Sequence, residues 1–252
     1  MRIDFYYWGM QCPISGETIK LLKGYKDRVQ ILLHDISNDS KLAEKQKMFF
    51  PFLMVVDQKY RYRNPITKAS FESLLQGQDI VEKPYIMENP DNIYQGDIIP
   101  LTRENISLVA AGCTMTDCKD SCNKKGDFLA EYCDGVLGFI NVKNGKVLGG
   151  AEYVPSLNVP YSISKDRDTA FLTCVYHSSP DYDYKSAPLK ALESYLKRKY
   201  NRLVAVTDER GNFPNGNLEW FLNQGYKDEY IISHEKDYCT LHLASKDLST
   251  VH

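Results

Sequence analysis

The stretch from Thr169 to Tyr200, TAFLTCVYHSSPDYDYKSAPLKALESYLKRKY, constrains the fold of this chain more than any other. Ala170 to Tyr176 is an apolar, β-rich run that reads as a buried strand. Ser178-Ser179-Pro180-Asp181 supplies turn chemistry. Beyond it, Leu189, Leu192, Tyr195 and Leu196 recur three and four apart, the stripe of an amphipathic helix. A strand that passes through a loop into a helix N-terminus gathers free backbone N–H groups at that point, a place for an anion. Most of the downstream chain reads as support for this unit.

The 252 residues are enough for two medium domains. With 31 basic and 33 acidic side chains, no electrostatic footprint for nucleic acid is expected. Lys197-Arg198-Lys199 falls where the helix ends and complements its dipole. Met1-Arg2-Ile3-Asp4 begins a strand directly, and no apolar run approaches a membrane span. The expectation is a cytoplasmic protein without a membrane partner. Seven cysteines, an odd number with no small-domain disulfide spacing, are expected as reduced thiols.

Residues 1–78 read as a first domain of order βαβαββα. Its strands are Arg2–Trp8, Val29–Leu33, the run through Val56, and Tyr60–Arg63, with helices after Cys12, over Lys41–Met48 and over Ser70–Leu75. This order, with Cys12-Pro13-Ile14-Ser15 at the first helix start and Pro51 opening the third strand, resembles the thioredoxin superfamily. Tyr6-Tyr7 followed by Gln11-Cys12-Pro13, with Pro51-Phe52 downstream, is more narrowly similar to the YoaP-like domain found attached to certain acetyltransferases. The resemblance implies a thiol site at Cys12 faced by a cis-proline at Pro51. A thiol at a helix N-terminus has its thiolate favoured, so the Cys12 pKa is expected to fall. Ser15 stands where a second cysteine would be, which argues against dithiol exchange. Cys12 is then either a substrate-binding or mixed-disulfide thiol, or an idle residue in a scaffold.

Residues 79–96 carry prolines and charges without a period and read as a linker or a surface-packed connection. Residues 97–252 form the second domain. A short strand ends at Thr102, which caps a helix over Arg103–Ala111, and a second helix runs from about Asp117 to Tyr132. Two strands flank Asn144-Gly145, a hairpin signal. After the opening unit come a strand at Arg202–Thr207, a helix at Asn217–Asn223 closed by Gly225, and a last strand pair. The order is βααβββαβαββ, and the fold class is α/β (α+β) with a mixed central sheet. With Leu101-Thr102-Arg103-Glu104-Asn105-Ile106 at its start and Trp220-Phe221-Leu222-Asn223-Gln224-Gly225-Tyr226 near its end, it resembles the GNAT acyl-CoA N-acyltransferase superfamily. Glu152-Tyr153-Val154-Pro155 is similar to a motif of relatives that carry a YoaP-like domain.

That resemblance implies transfer of acetyl from acetyl-CoA to a small-molecule or peptide amine, the first domain aiding acceptor recognition. Val175 and His177 would lie near the thioester, and Lys185, Ser186 and Ala187 would serve the pyrophosphate. The family loop runs Arg or Gln, two residues, Gly, any, then Gly or Ala. Here Asp183-Tyr184-Lys185-Ser186-Ala187-Pro188 occupies it, adding Asp181 and Asp183 as negative charges and removing an N–H at Pro188. Glu152 is the candidate general base and His177 the candidate acid or base. Phe221 stands where the family often places a tyrosine acid. By the resemblance the first two helices flank an acceptor cleft, which would place Cys113, Cys118 and Cys122 there to bind a soft metal or meet a thiol-bearing substrate; buried inert thiols are the favoured alternative. Cys133, roughly 16 Å beyond Cys122 on a continuous helix, cannot share one ion with them, so no metal site is expected. Two rivals stand beside the transferase: a degenerate fold of this type acting as a binding module, and a thiol-linked sensor or detoxification protein using Cys12.

Overall fold

The computed structural model describes residues 1–114 and 118–249. Strand β1 (Arg2–Tyr7) is followed by α1 (Pro13–Lys23), β2 (Gln30–Asp35), α2 (Ser40–Lys45), β3 (Phe52–Val56), β4 (Tyr60–Tyr62) and α3 (Lys68–Leu75). They build a four-stranded sheet in the order β2-β1-β3-β4, with β1 parallel to β2 and the other pairs antiparallel. The parallel pair needs a crossover, which α1 supplies. Pro13 opens α1 at its first turn, where a missing N–H costs nothing. All five residues of β3 are buried, the pattern of a central strand covered on both faces.

From Asp97 the elements are β5 (Asp97–Leu101), a 3-10 helix at Ile106–Ala111, α4 (Lys119–Ala130), β6 (Gly138–Lys143), β7 (Lys146–Pro155), a 3-10 turn at Ser156–Asn158, β8 (Thr169–His177), α5 (Ser186–Leu196), β9 (Arg202–Asp208), α6 (Leu218–Asn223), β10 (Lys227–Glu235) and β11 (Cys239–Asp247). The strands form one seven-stranded mixed sheet in the order β10-β11-β9-β8-β7-β6-β5. Only β8 and β9 run parallel, joined through α5. The β6–β7 turn has φ of 50° at Asn144 and 73° at Gly145, the left-handed pair that a two-residue hairpin requires. Asn217 caps α6 by accepting the Trp220 N–H at 2.9 Å.

Two helices depart from expectation. In place of an α-helix capped by Thr102, a 3-10 helix begins at Ile106. Asn105 is the reason: its Oδ1 accepts the Thr102 N–H and its Nδ2 donates to Pro100, so it ties down the strand exit instead of letting a helix start. Helix α4 begins at Lys119, and the expected start at Asp117 lies outside the described residues.

The two sheets share one continuous hydrophobic cluster. Trp8 packs edge-on against Phe128, Tyr161 and Phe171, with ring centres 6.0, 5.3 and 6.1 Å away. The segment between the sheets is strapped down rather than free. Asn212 N–H donates to the Tyr85 carbonyl, Met87 N–H donates to Asn212 Oδ1, and Ile93 bridges Asp183. Among the described residues no helix is long and apolar enough to cross a membrane.

Candidate functional site

Strands β8 and β9 pair only over Thr169–Phe171 and Arg202–Val204, then diverge. The wedge between them is closed by side chains from two directions. Asn215, from the β9–α6 loop, donates through Nδ2 to the carbonyls of Leu172 and Val206 at 3.3 and 3.1 Å, spanning both strands. Gln11, from the β1–α1 loop, donates through Nε2 to the Thr173 carbonyl at 3.0 Å. What remains is a cavity of about 60 Å³ between the sheets. With ~15 Å³ needed for a single water and ~30 Å³ for each in the liquid, it holds on the order of two to four water molecules.

Two buried lysines line this cavity and differ in their partners. Lys125 of α4 is 2% exposed and its Nζ lies 2.5 Å from Glu152 Oε2, itself wholly buried on β7. Burial pulls the Lys125 pKa down, but Glu152 and neighbouring thiols outweigh it and raise it above the ordinary value. Its ammonium also lies 5.4 Å from the Tyr176 ring centre. Gly150 makes room for that phenol, since a Cβ there would lie 2.4 Å from the Tyr176 hydroxyl.

Lys185, at the N-terminus of α5, is also buried, but its Nζ donates to Asn89 Oδ1 at 2.9 Å and sits 4.3 Å from the Trp220 ring centre. Among the described residues no carboxylate forms an ion pair with it. Burial lowers its pKa to about 8. One ammonium is thus held in place while the other is poised to deprotonate.

Asp183 explains the difference. Its Oδ1 accepts the backbone N–H groups of Lys185 and Ser186, and its Oδ2 accepts the Ser186 hydroxyl and the Trp220 indole N–H. These four donors use up the carboxylate and leave none of it for the Lys185 ammonium. They also place an anion of the chain itself at the α5 N-terminus, where helix dipole and N–H groups favour one.

His177 ends β8 and lines the same cavity. Its Nδ1 lies 2.8 Å from the Ser179 carbonyl, which can only accept, so Nδ1 carries the hydrogen. Burial lowers the His177 pKa, and the neutral ring presents Nε2 as an acceptor.

Cys12, Pro51, Cys113 and Cys174 also line the cavity. Two expectations fail here. Burial pushes the Cys12 thiol up to about 12, outweighing the lowering effects of Lys125 and the Ile14 N–H. Pro51 is not preceded by a cis bond; the cis peptide among the described residues is Phe213–Pro214. Cys122 is fully buried on α4, and Cys118 precedes that helix at its N-cap, so neither joins Cys113 at the cavity. Among the described residues no three His, Cys, Asp or Glu side chains converge on a metal position.

Solved structures similar to the chain are N-acetyltransferases. An N-acetyltransferase from Staphylococcus aureus Mu50 is 16% identical, with a TM-score of 0.45 over 62% of this chain and 100% of its own. An acetyltransferase of the GNAT family from Bacillus cereus ATCC 10987 is 12% identical, with a TM-score of 0.43 over 60% and 96%. The aminoglycoside 6'-N-acetyltransferase from Enterococcus faecium is 10% identical, with a TM-score of 0.46 over 62% and 99%. No protein-family model and no curated protein matches the chain. Likeness at this level says nothing of chemistry, which rests on the geometry.

Tested against that geometry, acetyl-CoA does not fit. The pyrophosphate position at α5 is filled by Asp183, Ser186 is bound to it, and Pro188 lacks an N–H. The β8 carbonyl at Thr173 is taken by Gln11, and Val175 and His177 line the cavity that remains. The site's main partners escaped the sequence reading. Lys125 carried a signal: with Cys122 and Leu129 it makes an i, i+3, i+7 stripe, so a charge sits on the buried face of α4. Thr173, Asn212 and Asn215 carried none, and Gln11 stood out only as part of the Gln11-Cys12-Pro13 motif, with nothing to point it at β8.

Proposed function

We propose that this protein binds a small, neutral, polar molecule in the cavity between its two sheets. In this reading residues 1–78 are a thioredoxin-like, YoaP-like module and residues 97–252 an acyltransferase-type scaffold. Residues 79–96 strap one to the other. The first module acts as a wall of the site, contributing Gln11 and Cys12.

One observation carries the reading. Thr173 Oγ1, Asn212 Nδ2 and Asn215 Oδ1 are buried polar atoms without hydrogen-bond partners, and all three residues line this one cavity. Each such orphan costs about 1–3 kcal/mol, and folded proteins leave few of them. Asn215 Nδ2 is committed to two strand carbonyls, so its Oδ1 is fixed as an acceptor. Together they match an occupant of four to five non-hydrogen atoms with both donor and acceptor groups. A neutral occupant suits the site because Glu152 already compensates Lys125, so no counter-charge is called for there.

Saturation-transfer NMR with ethylene glycol and acetamide as probes tests this. Transfer is expected in the intact chain and weakened in Thr173→Val, which removes one orphan hydroxyl at constant shape. Absence of transfer from both probes at millimolar concentration would sink the reading.

A second reading, acetyl transfer from acetyl-CoA to an amine with Glu152 or His177 moving the proton, is favoured by the divergence of β8 and β9. It is weakened by the engagement of Glu152 with Lys125 and of the α5 N–H groups with Asp183. Acetyl-CoA binding separates the two.

A further inference from the structure

The paired environments of Lys125 and Lys185 go beyond binding. Both lysines line one cavity; one is ion-paired with a carboxylate, while the other hydrogen-bonds a neutral amide, lies against an aromatic face and feels Asp183 without an ion pair. An amine that is desolvated and unpaired in an apolar pocket is a nucleophile, and its partner of choice is a carbonyl carbon.

We propose that Lys185 captures a short, uncharged, oxygenated aldehyde in this cavity as an imine. The proposal rests on the small-molecule reading above and names its ligand class. The Lys185 nitrogen lone pair forms the C–N bond as the carbonyl π bond breaks. Both amine hydrogens then leave with the carbonyl oxygen as one water, and the C=N bond remains. No oxidant or reductant enters. His177 shares the cavity and carries its hydrogen on Nδ1, so Nε2 is available to relay a proton between nitrogen and oxygen. The orphaned Thr173 hydroxyl, Asn212 amide and Asn215 carbonyl offer partners for a second oxygen of the aldehyde. Glycolaldehyde has the size and groups this wall accepts. Glyoxylate, equal in reach but anionic, finds no free cation in the cavity once Lys185 has become the imine, because Lys125 is paired with Glu152.

The groups around the Lys185 nitrogen come from every packed element: Asn89 of the strap, Asp183 of the loop, His177 of β8 and Trp220 of α6. The carboxylate among them is saturated by other donors and raises the pKa only in part against burial, so a minor but substantial amine fraction is present near neutral pH.

The test is reductive trapping on the full chain. Limiting glycolaldehyde with cyanoborohydride at about pH 7.5 is followed by peptide mass spectrometry. A pKa near 8 gives Lys185 an amine fraction about 100-fold above that of an exposed lysine. The hydroxyethyl group is therefore expected first on Lys185, with glyoxylate labelling it at least tenfold more slowly. Label spread over surface lysines with Lys185 unmodified would overturn the proposal, as would equal labelling by glyoxylate. Lys185→Arg should lose the early label, and the wild-type site assignment decides even if that variant misfolds. NMR transfer from ethylene glycol without label on Lys185 would retain binding and refute imine formation; no transfer at all would refute both.

Discussion

Trp220 donates its indole N–H to Asp183 Oδ2 at 3.1 Å while its ring lies 4.3 Å from the Lys185 nitrogen. One side chain therefore anchors the anion at the α5 N-terminus and shields the cation beside it. Together the three residues close the end of the β8–β9 wedge where a phosphate would otherwise be drawn.

Replacing Asp183 by Ala leaves the Lys185 and Ser186 N–H groups and the Trp220 indole without their acceptor. Buried donors that lose a charged partner cost about 1–3 kcal/mol each, so a loss of at least about 3 kcal/mol is expected in urea denaturation. A loss under about 1 kcal/mol would show that the carboxylate is not what holds this end together.

The Lys125–Glu152 pair should behave as a buried unit. Lys125→Met and Glu152→Gln are each expected to cost about 3–5 kcal/mol by stranding the other charge. Combining Lys125→Met with Glu152→Leu should cost far less than the sum of its single changes, with a coupling above about 1 kcal/mol in a double-mutant cycle. Additive losses would mean that the two groups do not share their charge.

For Cys12, burial sets the expected reactivity. With its thiol pushed up to about 12, alkylation by iodoacetamide at about pH 8 should be at least about 100-fold slower than for a free cysteine. The sign of the linked stability follows: an unfolded thiol releases its proton from about 9, while the folded one keeps it to about 12. Its contribution is complete below about pH 9 and is lost as pH rises through 12. Cys12 is only half-buried by accessible surface, so alkylation at the rate of a free thiol would contradict the desolvation that raises its pKa.

The sequence revealed the elements better than their meeting points. The β8 run, the α5 stripe and the Asn144-Gly145 turn all encode their geometry within a few residues, and each lies where local pattern put it. The Arg103–Ala111 helix failed because Asn105 bonds back to the strand exit, a competition that propensity does not display. Asp183 was legible as a charge out of place, but its indole partner lies 37 positions away. Gln11 and Thr173 are separated by 162 positions, and no period in either stretch joins them. The helix-start rule anticipated an acidic Cys12; desolvation by the second sheet reverses its sign.

Calorimetric titration with acetyl-CoA tests the central claim, that the chain's own Asp183 carboxylate occupies the phosphate position and side chains fill the wedge. The expected result is no saturable heat up to millimolar acetyl-CoA. Saturable binding at micromolar concentration would contradict it.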